Sequence, residues 1–242
     1  MIGLSDQVRA AVFGEVFASG ETRFETDLQK ILDGAQAAIS ALDYIVKPGS
    51  RTEQDAPIQT SRTFGAGMTW FFSKKHALTL EGGLSQGTSR VERAEYSILV
   101  ELERKVLWAS LMLGRRGRML KGFEGWVQAG PAFSKADLLF QPGGAWALSM
   151  DSPPGRYRAM LVGGMIRFGL LIKVYRGLGL SLSSQALFFA PQDYVKPGYD
   201  LHLPVLLADP ISGGFVNTGV FAKANPGGIG FRIGIVAPWG LK

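Results

Sequence analysis

The fold is decided by the stretch "TFGAGMTWFF" at residues 63–72, which runs directly into "SKKHALTLEGGLS" at residues 73–85. In both stretches large apolar side chains occupy one parity, and glycine, threonine, serine or glutamate occupies the other. Successive side chains of a β-strand point to opposite faces, so each stretch predicts a strand with one apolar face and one small, polar face. The polar break between them predicts a tight hairpin connection.

The same two-residue period continues towards the C-terminus. We predict strands at 58–72, 76–88, 95–113, 117–133, 156–174, 177–190, 213–224 and 227–238. Short polar connections alternate with longer ones, which is typical of an all-β, antiparallel up-and-down barrel of about eight strands. A count of up to ten strands is compatible with the pattern. No helix-length pattern interrupts the strands, which argues against parallel βαβ units.

The N-terminal part of the chain has a helical period instead. Thr22 and Glu25 have the form of a capping box, and apolar residues follow at helical spacing as far as residue 42. A weaker helix is predicted over about 5–18. We therefore predict a helical extension at 1–50 and a β-barrel domain at 51–242.

The apolar face of the helix at 22–42 has three possible places. It can pack on a partner, lie at a membrane interface or plug one end of the barrel. Its polar face mixes acidic and basic residues, which favours a protein partner over an anionic lipid surface. The residues predicted to bind that partner are Phe24, Leu28, Ile31, Leu32 and Ile39.

The direction of the apolar strand faces decides between a soluble and a membrane barrel. A surface exposed to water is usually rich in Lys, Glu and Asp, but the polar parity here is mostly Gly, Ser, Thr and Gln. Small residues with a few charges suit a narrow barrel interior, and bulky apolar residues then suit lipid. The predicted lipid-facing residues are Phe64, Met68, Trp70, Leu80, Ile166, Phe168, Leu180, Phe231 and Ile233. The predicted interior residues are Glu81, Glu124, Arg167, Gln185 and Arg232, with Glu101, Glu103 and Lys105 as further candidates.

Strand 95–113 tests this interpretation. Its apolar parity includes Val100, Leu102, Val106 and Trp108, which we assign to the lipid face, and Arg104 falls on the same parity. We therefore predict that Arg104 lies near or above one membrane interface, since the strand is longer than a membrane crossing. Trp70, Trp108 and Tyr175 are predicted to contribute to an interfacial aromatic girdle.

From about residue 58 to 242 the chain resembles the small outer-membrane β-barrel proteins of the eight-stranded type, which include the OmpA-like transmembrane domains. The last strand, "GGIGFRIGIVAPW", looks like the terminal strand of that class, although "GLK" follows Trp239. The resemblance implies a bacterial outer-membrane location, with membrane lipid and lipopolysaccharide as partners. In that class both termini lie at the short-turn end, whereas the eight predicted strands put them at the other end. A missed strand would explain this, with 42–46 and 201–207 as the candidates.

Composition excludes several other classes. The chain has a net charge of +6, but its basic residues form only short clusters, so nucleic acid is not an expected partner. It has no cysteine and two histidines, so no metal or cofactor site is predicted. No convincing signal peptide is visible in the sequence given.

The predicted function is therefore a non-enzymatic outer-membrane barrel with a structural or interaction role. It would anchor an assembly, or contact partners through its long loops and N-terminal helix. One alternative is a soluble β-barrel that binds a hydrophobic ligand. Another is a lipid-modifying barrel hydrolase, in which His202, close in sequence to Asp200, Asp209 and Ser212, acts as the base.

Overall fold

The computed structural model describes residues 11–23, 26–46, 60–73, 75–93, 98–120, 123–144, 154–175, 178–208 and 215–238. Eight long strands form a closed antiparallel barrel, and four short strands form two small ribbons beside it. The barrel strands are β1 (Ala11–Arg23), β2 (Thr60–Phe71), β3 (His76–Arg93), β4 (Ile98–Leu120), β5 (Phe123–Gly144), β6 (Gly155–Tyr175), β7 (Leu178–Phe189) and β12 (Gly228–Pro238). The remaining elements are the helix α1 (Thr26–Val46) and the ribbon strands β8 (Gln192–Asp193), β9 (Pro204–Ala208), β10 (Phe215–Phe221) and β11 (Lys223–Ala224).

The barrel closes between its first and last strands. β1 pairs with β12 from Phe13 opposite Pro238 to Arg23 opposite Gly228, and on its other side β1 pairs with β2. Each remaining strand pairs with its neighbours in chain order, with the ribbons inserted between β7 and β12. Over the part of the wall that all eight strands share, each described strand pairs on both sides, which is the condition a sheet must meet in lipid. The predicted eight-stranded up-and-down barrel is confirmed.

Two of the predicted elements are wrong. Residues 11–18 of the weak helix predicted over 5–18 belong to β1, so residues 11–23 are barrel wall and not part of a helical extension at 1–50. The strand predicted at 213–224 is not in the wall: β10 pairs with β9, and β11 pairs with β8. Gly14 and Gly20 weaken the apolar alternation of β1, which hid it from the pattern.

With β1 included, the barrel sheet begins and ends at the short-turn end. Ala11 lies opposite Phe71, and Phe13 lies opposite Pro238, so β1 begins and β12 ends beside the turn at 72–75. This short-turn end also contains the two-residue connections after β4 and after β6. Neither candidate for a missed barrel strand is one, since 42–46 belongs to α1, and 204–207 belongs to β9. The opposite, long-loop end carries α1 and both ribbons.

The inward side of β4 contradicts the prediction for that strand. Val100, Leu102, Val106 and Trp108 are all buried inside the chain, and Arg104 on the same parity is also buried. The exposed apolar side chains of β4 are instead Leu107, Leu111 and Leu113, on the other parity. Trp108 is therefore not a girdle residue; its ring packs 6.1 Å from that of Phe17 inside the barrel. Glu103 and Lys105, predicted to point inward, are exposed on the outside.

Candidate functional site

Four charged side chains meet inside the barrel at the level of its apolar exterior. They come from four strands: Glu15 from β1, Glu81 from β3, Arg167 from β6 and Arg232 from β12. Arg232 donates from Nη1 to Glu81 Oε2 at 2.8 Å and from Nη2 to Glu15 Oε2 at 2.6 Å. Arg167 Nη1 donates to the same Glu81 oxygen at 2.5 Å and lies 3.5 Å from Glu15 Oε2. We call these four residues the charge cluster.

The charge cluster is balanced and closely surrounded. Its two carboxylates face two guanidinium groups, which is the condition under which buried charges are tolerated. Arg167 also donates from Nε and Nη2 to Gln128 Oε1, at 3.1 and 2.6 Å, and Gln128 Nε2 donates to Thr79 Oγ1 at 2.6 Å. The guanidinium carbon of Arg232 lies 3.3 Å from the centre of the Phe17 ring, a cation–π contact.

A second polar group lies nearer the long-loop end. Gln185 Nε2 donates to Glu21 Oε1 at 2.6 Å, and Ser19 Oγ donates to the same oxygen at 2.9 Å. Glycines of β12 leave room for these glutamates. A Cβ added to Gly230 would lie 2.6 Å from Glu21 Cγ, and one added to Gly234 would lie 2.5 Å from Glu15 Oε1. The small residues on the inward parity thus make space for the charged ones.

The inward positions predicted from the sequence for Glu81, Arg167, Gln185 and Arg232 agree with this geometry. The fifth, Glu124, lies nearer the short-turn end, where its Oε2 is 3.3 Å from Arg116 Nη1. Sequence reasoning missed Glu15 and Glu21, because it did not recognise β1 as a strand. The signal was present: Glu15, Phe17, Ser19 and Glu21 alternate with Val16, Ala18 and Gly20.

The long-loop end of the barrel is filled by α1. Leu28, Ile31, Leu32, Ala35 and Ile39 are buried in one apolar core. The other members of this core include Val91, Val100, Leu102, Leu138, Phe140, Tyr157, Tyr194, Leu203 and Val205. The helix packs chiefly on β9 and also contacts β3 and β4 at the long-loop end of the barrel. We call this helix, its apolar partners and the ribbons the cap.

The predicted partner surface on α1 is wrong, because the cap buries it. Leu28, Ile31, Leu32 and Ile39 are at most 1% exposed, so these four side chains pack within the chain and are not accessible to a partner. Phe24 lies outside the described residues. Among the three places considered for the helix, the plug of one barrel end agrees with the structure. The cap is a desolvated core, and burial there raises the pKa of Tyr194.

A small cavity remains at the short-turn end. It has a volume of about 70 Å³, enough for a few water molecules, and its walls include the rings of Phe13, Phe71 and Trp126. Arg116 stacks on Phe71 at 3.9 Å from the ring centre. Arg167 and Glu15 of the charge cluster line the inner part of the cavity.

The candidate base His202 lies in the cap, on the segment before β9. Its Nδ1 is 3.1 Å from Asp193 Oδ2, its Nε2 is 3.6 Å from Asp200 Oδ1, and its ring lies 4.7 Å from that of Phe221. A histidine oriented by a carboxylate is one part of a hydrolytic site. Asp209 and Ser212, the other residues of that hypothesis, lie outside the described residues.

Every barrel strand has exposed apolar side chains on its outer surface. Eight of the nine residues predicted to face outward are exposed there: Phe64, Met68, Trp70, Leu80, Ile166, Phe168, Phe231 and Ile233. The ninth, Leu180, is partly exposed on the same face. Within the described ranges, no helix combines the length and hydropathy needed to cross a membrane.

The chain is similar in structure to several solved bacterial proteins. The outer membrane protein OprG from Pseudomonas aeruginosa matches with a TM-score of 0.51 at 11% identity, over 96% of this chain and 96% of that one. The N-terminal β-barrel domain of OprF, from the same species, matches with a TM-score of 0.42 at 12% identity, over 96% of this chain and 100% of that one. Ail of Yersinia pestis, in complex with the heparin analogue sucrose octasulfate, matches with a TM-score of 0.45 at 7% identity, over 95% and 99%.

These similarities extend over nearly the whole chain. They concern the fold. The match to OprG, which has a TM-score above 0.5, agrees with the resemblance to outer-membrane barrels noted from the sequence. No protein-family model matches the chain, and no curated protein matches it in sequence.

Proposed function

We propose that the protein is an integral outer-membrane barrel that is closed to solute flow and that displays its cap on the membrane surface. Its role is structural or interactive: the barrel anchors the chain, and the cap contacts other molecules. The observation that carries this proposal is the combination of an apolar exterior with an interior blocked at two levels.

The exterior fits a bilayer in extent as well as in chemistry. On β6 the outward apolar side chains run from Met160 to Val174. At about 3.3 Å per residue and a tilt of about 40°, this length spans roughly 35 Å, enough to cover the hydrocarbon region. On β3 the outward residue beyond Leu84 is Gln86, and on β4 the outward residue beyond Leu107 is Lys105. These changes from apolar to polar side chains mark one edge of the apolar band.

The filled interior favours a barrel that is closed to ions over one that conducts them. An eight-stranded barrel has an interior just wide enough to be filled by side chains. Here the charge cluster fills the middle, and the cap fills the long-loop end, so an ion would have to displace paired charges and then an apolar core. Among the described residues, the lining of the cavity at the short-turn end includes Glu15 and Arg167 of the charge cluster and no residue of the cap.

The cap offers a contact surface of its own. Tyr199, Leu201, Val220 and Phe221 are exposed apolar residues near His202. Aromatic and aliphatic side chains exposed in this way are typical of sites that bind other molecules. This surface replaces the buried face of α1 as the candidate contact site for a partner.

The two alternative functions have less support. A soluble barrel for a hydrophobic ligand requires a polar exterior and an empty apolar interior, and this barrel has the reverse arrangement at the level of the charge cluster. The hydrolase hypothesis rests on His202 with Asp200, Asp209 and Ser212. His202 Nε2 lies 3.6 Å from Asp200 Oδ1, and Asp209 and Ser212 lie outside the described residues. We keep it as a prediction: the variant His202→Ala should abolish any activity on phospholipid or lipid A.

Insertion and conductance test the proposal together. The purified chain should require detergent, and its folded form should migrate faster than its heated form in a gel, as stable membrane barrels do. In planar lipid bilayers it should give no discrete conductance steps at any protein concentration that yields insertion. A chain that is monodisperse without detergent, or one that conducts in regular steps, would contradict the proposal.

A further inference from the structure

We propose that the outer surface of β4, β5 and β6 carries a binding site for a phosphate-bearing lipid. In this site Lys105, Lys135 and Arg158 hold the anionic headgroup, and one acyl chain lies in the groove directly below them. The inference rests on the proposed function, since it requires that this surface faces lipid.

The cationic residues are brought together by strand register. Lys105 lies opposite Asp137 on β5, and Asp137 lies opposite Arg158 on β6. Lys135 precedes Asp137 by two residues and therefore points to the same, outward face. Three neighbouring strands thus present their basic side chains within one patch, which we call the basic patch.

The basic patch has an excess of positive charge. Arg158 Nε donates to Asp137 Oδ1 at 2.7 Å, and Lys135 Nζ lies 3.3 Å from Asp137 Oδ2. Three cations and one carboxylate leave a net charge of 3 − 1 = +2. Glu103, the next outward residue of β4, lies on the far side of Lys105 from the groove. Asp137 thus fixes two of the cations in position without neutralising the patch, which favours an anionic ligand.

The groove lies on the membrane side of the basic patch. It has a volume of about 310 Å³, and Lys135 is the basic residue in its lining. Ala109 leaves a depression between larger outward side chains on the three strands, which are Leu107, Phe133, Met160 and Val162. The exposed fractions of Phe133, Met160 and Val162 are 56%, 67% and 61%, so the protein does not cover the groove itself. Its outward lining is hydrocarbon apart from Lys135, which suits an acyl chain.

The position of the site selects a lipid as the occupant. The basic patch lies where the outer surface changes from apolar to polar, at the edge of the band nearer the cap. Lipid phosphates lie at this depth, and long basic side chains extend to reach them. A peptide or a soluble anion could use the charge of the patch but would gain nothing from the groove. A phosphate-bearing lipid uses both.

Native mass spectrometry of the full chain in mild detergent can test the site. Its affinity for dioleoyl phosphatidic acid should exceed its affinity for phosphatidylcholine with the same acyl chains. Each basic residue near an anionic lipid surface contributes roughly fivefold in affinity, so the variant Lys105→Ala with Lys135→Ala should lose about 25-fold for phosphatidic acid. A matched double variant, Lys75→Ala with Lys223→Ala, removes two exposed lysines elsewhere and should bind as the wild type does.

The groove is tested separately. Ala109→Phe should fill it and weaken binding of dioleoyl phosphatidic acid by at least fivefold, while dihexanoyl phosphatidic acid is hardly affected. Ala66→Phe, at an outward position of β2 away from the groove, should change neither. Lys105→Arg with Lys135→Arg should retain binding, since it keeps both charges. Heat-modifiable migration of the double alanine variant shows that its loss of binding is not a failure to fold.

The outcomes separate this inference from the proposed function. A chain that does not migrate as a heat-modifiable barrel contradicts the proposed function. If the barrel inserts but either the double lysine variant or Ala109→Phe binds as the wild type does, the lipid site is wrong, and the proposed function stands. Binding of inorganic phosphate as tight as that of phosphatidic acid would equally overturn the lipid site, since it would mean that the groove is not used.

Discussion

The interior of this barrel has two regions of opposite chemistry. Beside the apolar exterior, the interior contains the charge cluster of Glu15, Glu81, Arg167 and Arg232. Towards the cap, where the outer surface turns polar, the interior is a largely apolar core around α1, with Arg104 among its buried residues. The first region has the arrangement of a membrane protein, with polar groups inside and apolar groups outside. The second has the arrangement of a soluble domain.

The change happens along single strands and without a reversal of side-chain direction. On β4 the inward parity in the cap is apolar at Val100, Leu102 and Val106, with the buried Arg104 among them. The outward parity changes from Glu103 and Lys105 to Leu107 and Leu111. The solvent around a strand therefore determines which of its two faces must be apolar. On β4 both parities are apolar just inside the band, where inward Val106 and Trp108 alternate with outward Leu107.

The largest effect should come from breaking the charge cluster. Arg232→Ala leaves Glu15 and Glu81 buried with Arg167 alone, so unfolding in urea should need about 3–5 kcal/mol less free energy. Arg90, whose ion pair with Glu92 is exposed, provides the control, since Arg90→Ala should cost at most about 1 kcal/mol. Equal and small losses for both variants would contradict a buried, tightly coupled cluster.

The next effect should come from the cap. Leu32 is fully buried in the core around α1, so Leu32→Ala should destabilise that core by about 2–5 kcal/mol. Because the loss falls on the cap, limited proteolysis between β1 and β2 should accelerate while the barrel keeps its heat-modifiable migration. Asp33→Ala, on the exposed side of the same helix, should leave proteolysis unchanged. Simultaneous loss of the barrel would mean that the two regions are not separate units.

A smaller effect should distinguish positions along one outer face. Leu80 and Gln86 both point outward from β3, with Leu80 within the apolar band and Gln86 beyond it. Leu80→Arg should lower the free energy of unfolding in lipid by about 2–4 kcal/mol, whereas Gln86→Arg should lower it by about 0–1 kcal/mol. The measurement is the free energy of unfolding from liposomes. Similar costs at the two positions would remove the evidence for a band edge between them.

The smallest effect is expected at the surface of the cap. The contact of His202 with Asp193 is partly exposed, so His202→Ala should change the free energy of unfolding by less than about 1 kcal/mol. Urea unfolding at neutral pH measures this change. A loss of several kcal/mol would mean that the pair belongs to the packed core of the cap, and not to its surface.

The sequence allowed the architecture to be predicted because alternation is a local signal. Strands such as β6 and β12 keep one apolar parity over their whole length within the band, and their inward arginines, Arg167 and Arg232, follow from it. β1 was missed because glycines and inward glutamates weaken its alternation. The charge cluster as a whole could not be predicted, since its members are far apart in the chain and one of its two carboxylates, Glu15, lies on β1.

The side assigned to β4 could not be predicted correctly from parity alone. Val100, Leu102 and Val106 are apolar because they belong to the buried core that α1 joins, whereas Leu107, Leu111 and Leu113 are apolar because they face outward. The sequence shows two apolar parities and does not indicate which neighbour each one meets. For the same reason, the apolar face of α1 was assigned to a partner: amphipathic spacing does not distinguish an intramolecular contact from an intermolecular one.

Labelling along β4 tests the central claim most directly. The chain has no cysteine, so each single cysteine variant can be labelled at one position only. In liposomes, a membrane-impermeant maleimide should react with cysteines at outward positions 103 and 105, and not with cysteines at outward positions 107, 111 and 113. In the same protein held in a small, exchangeable detergent and treated with a membrane-permeant maleimide, the latter three should react. Rapid reaction at 107, 111 and 113 in liposomes would contradict the claim that this surface of the barrel faces lipid.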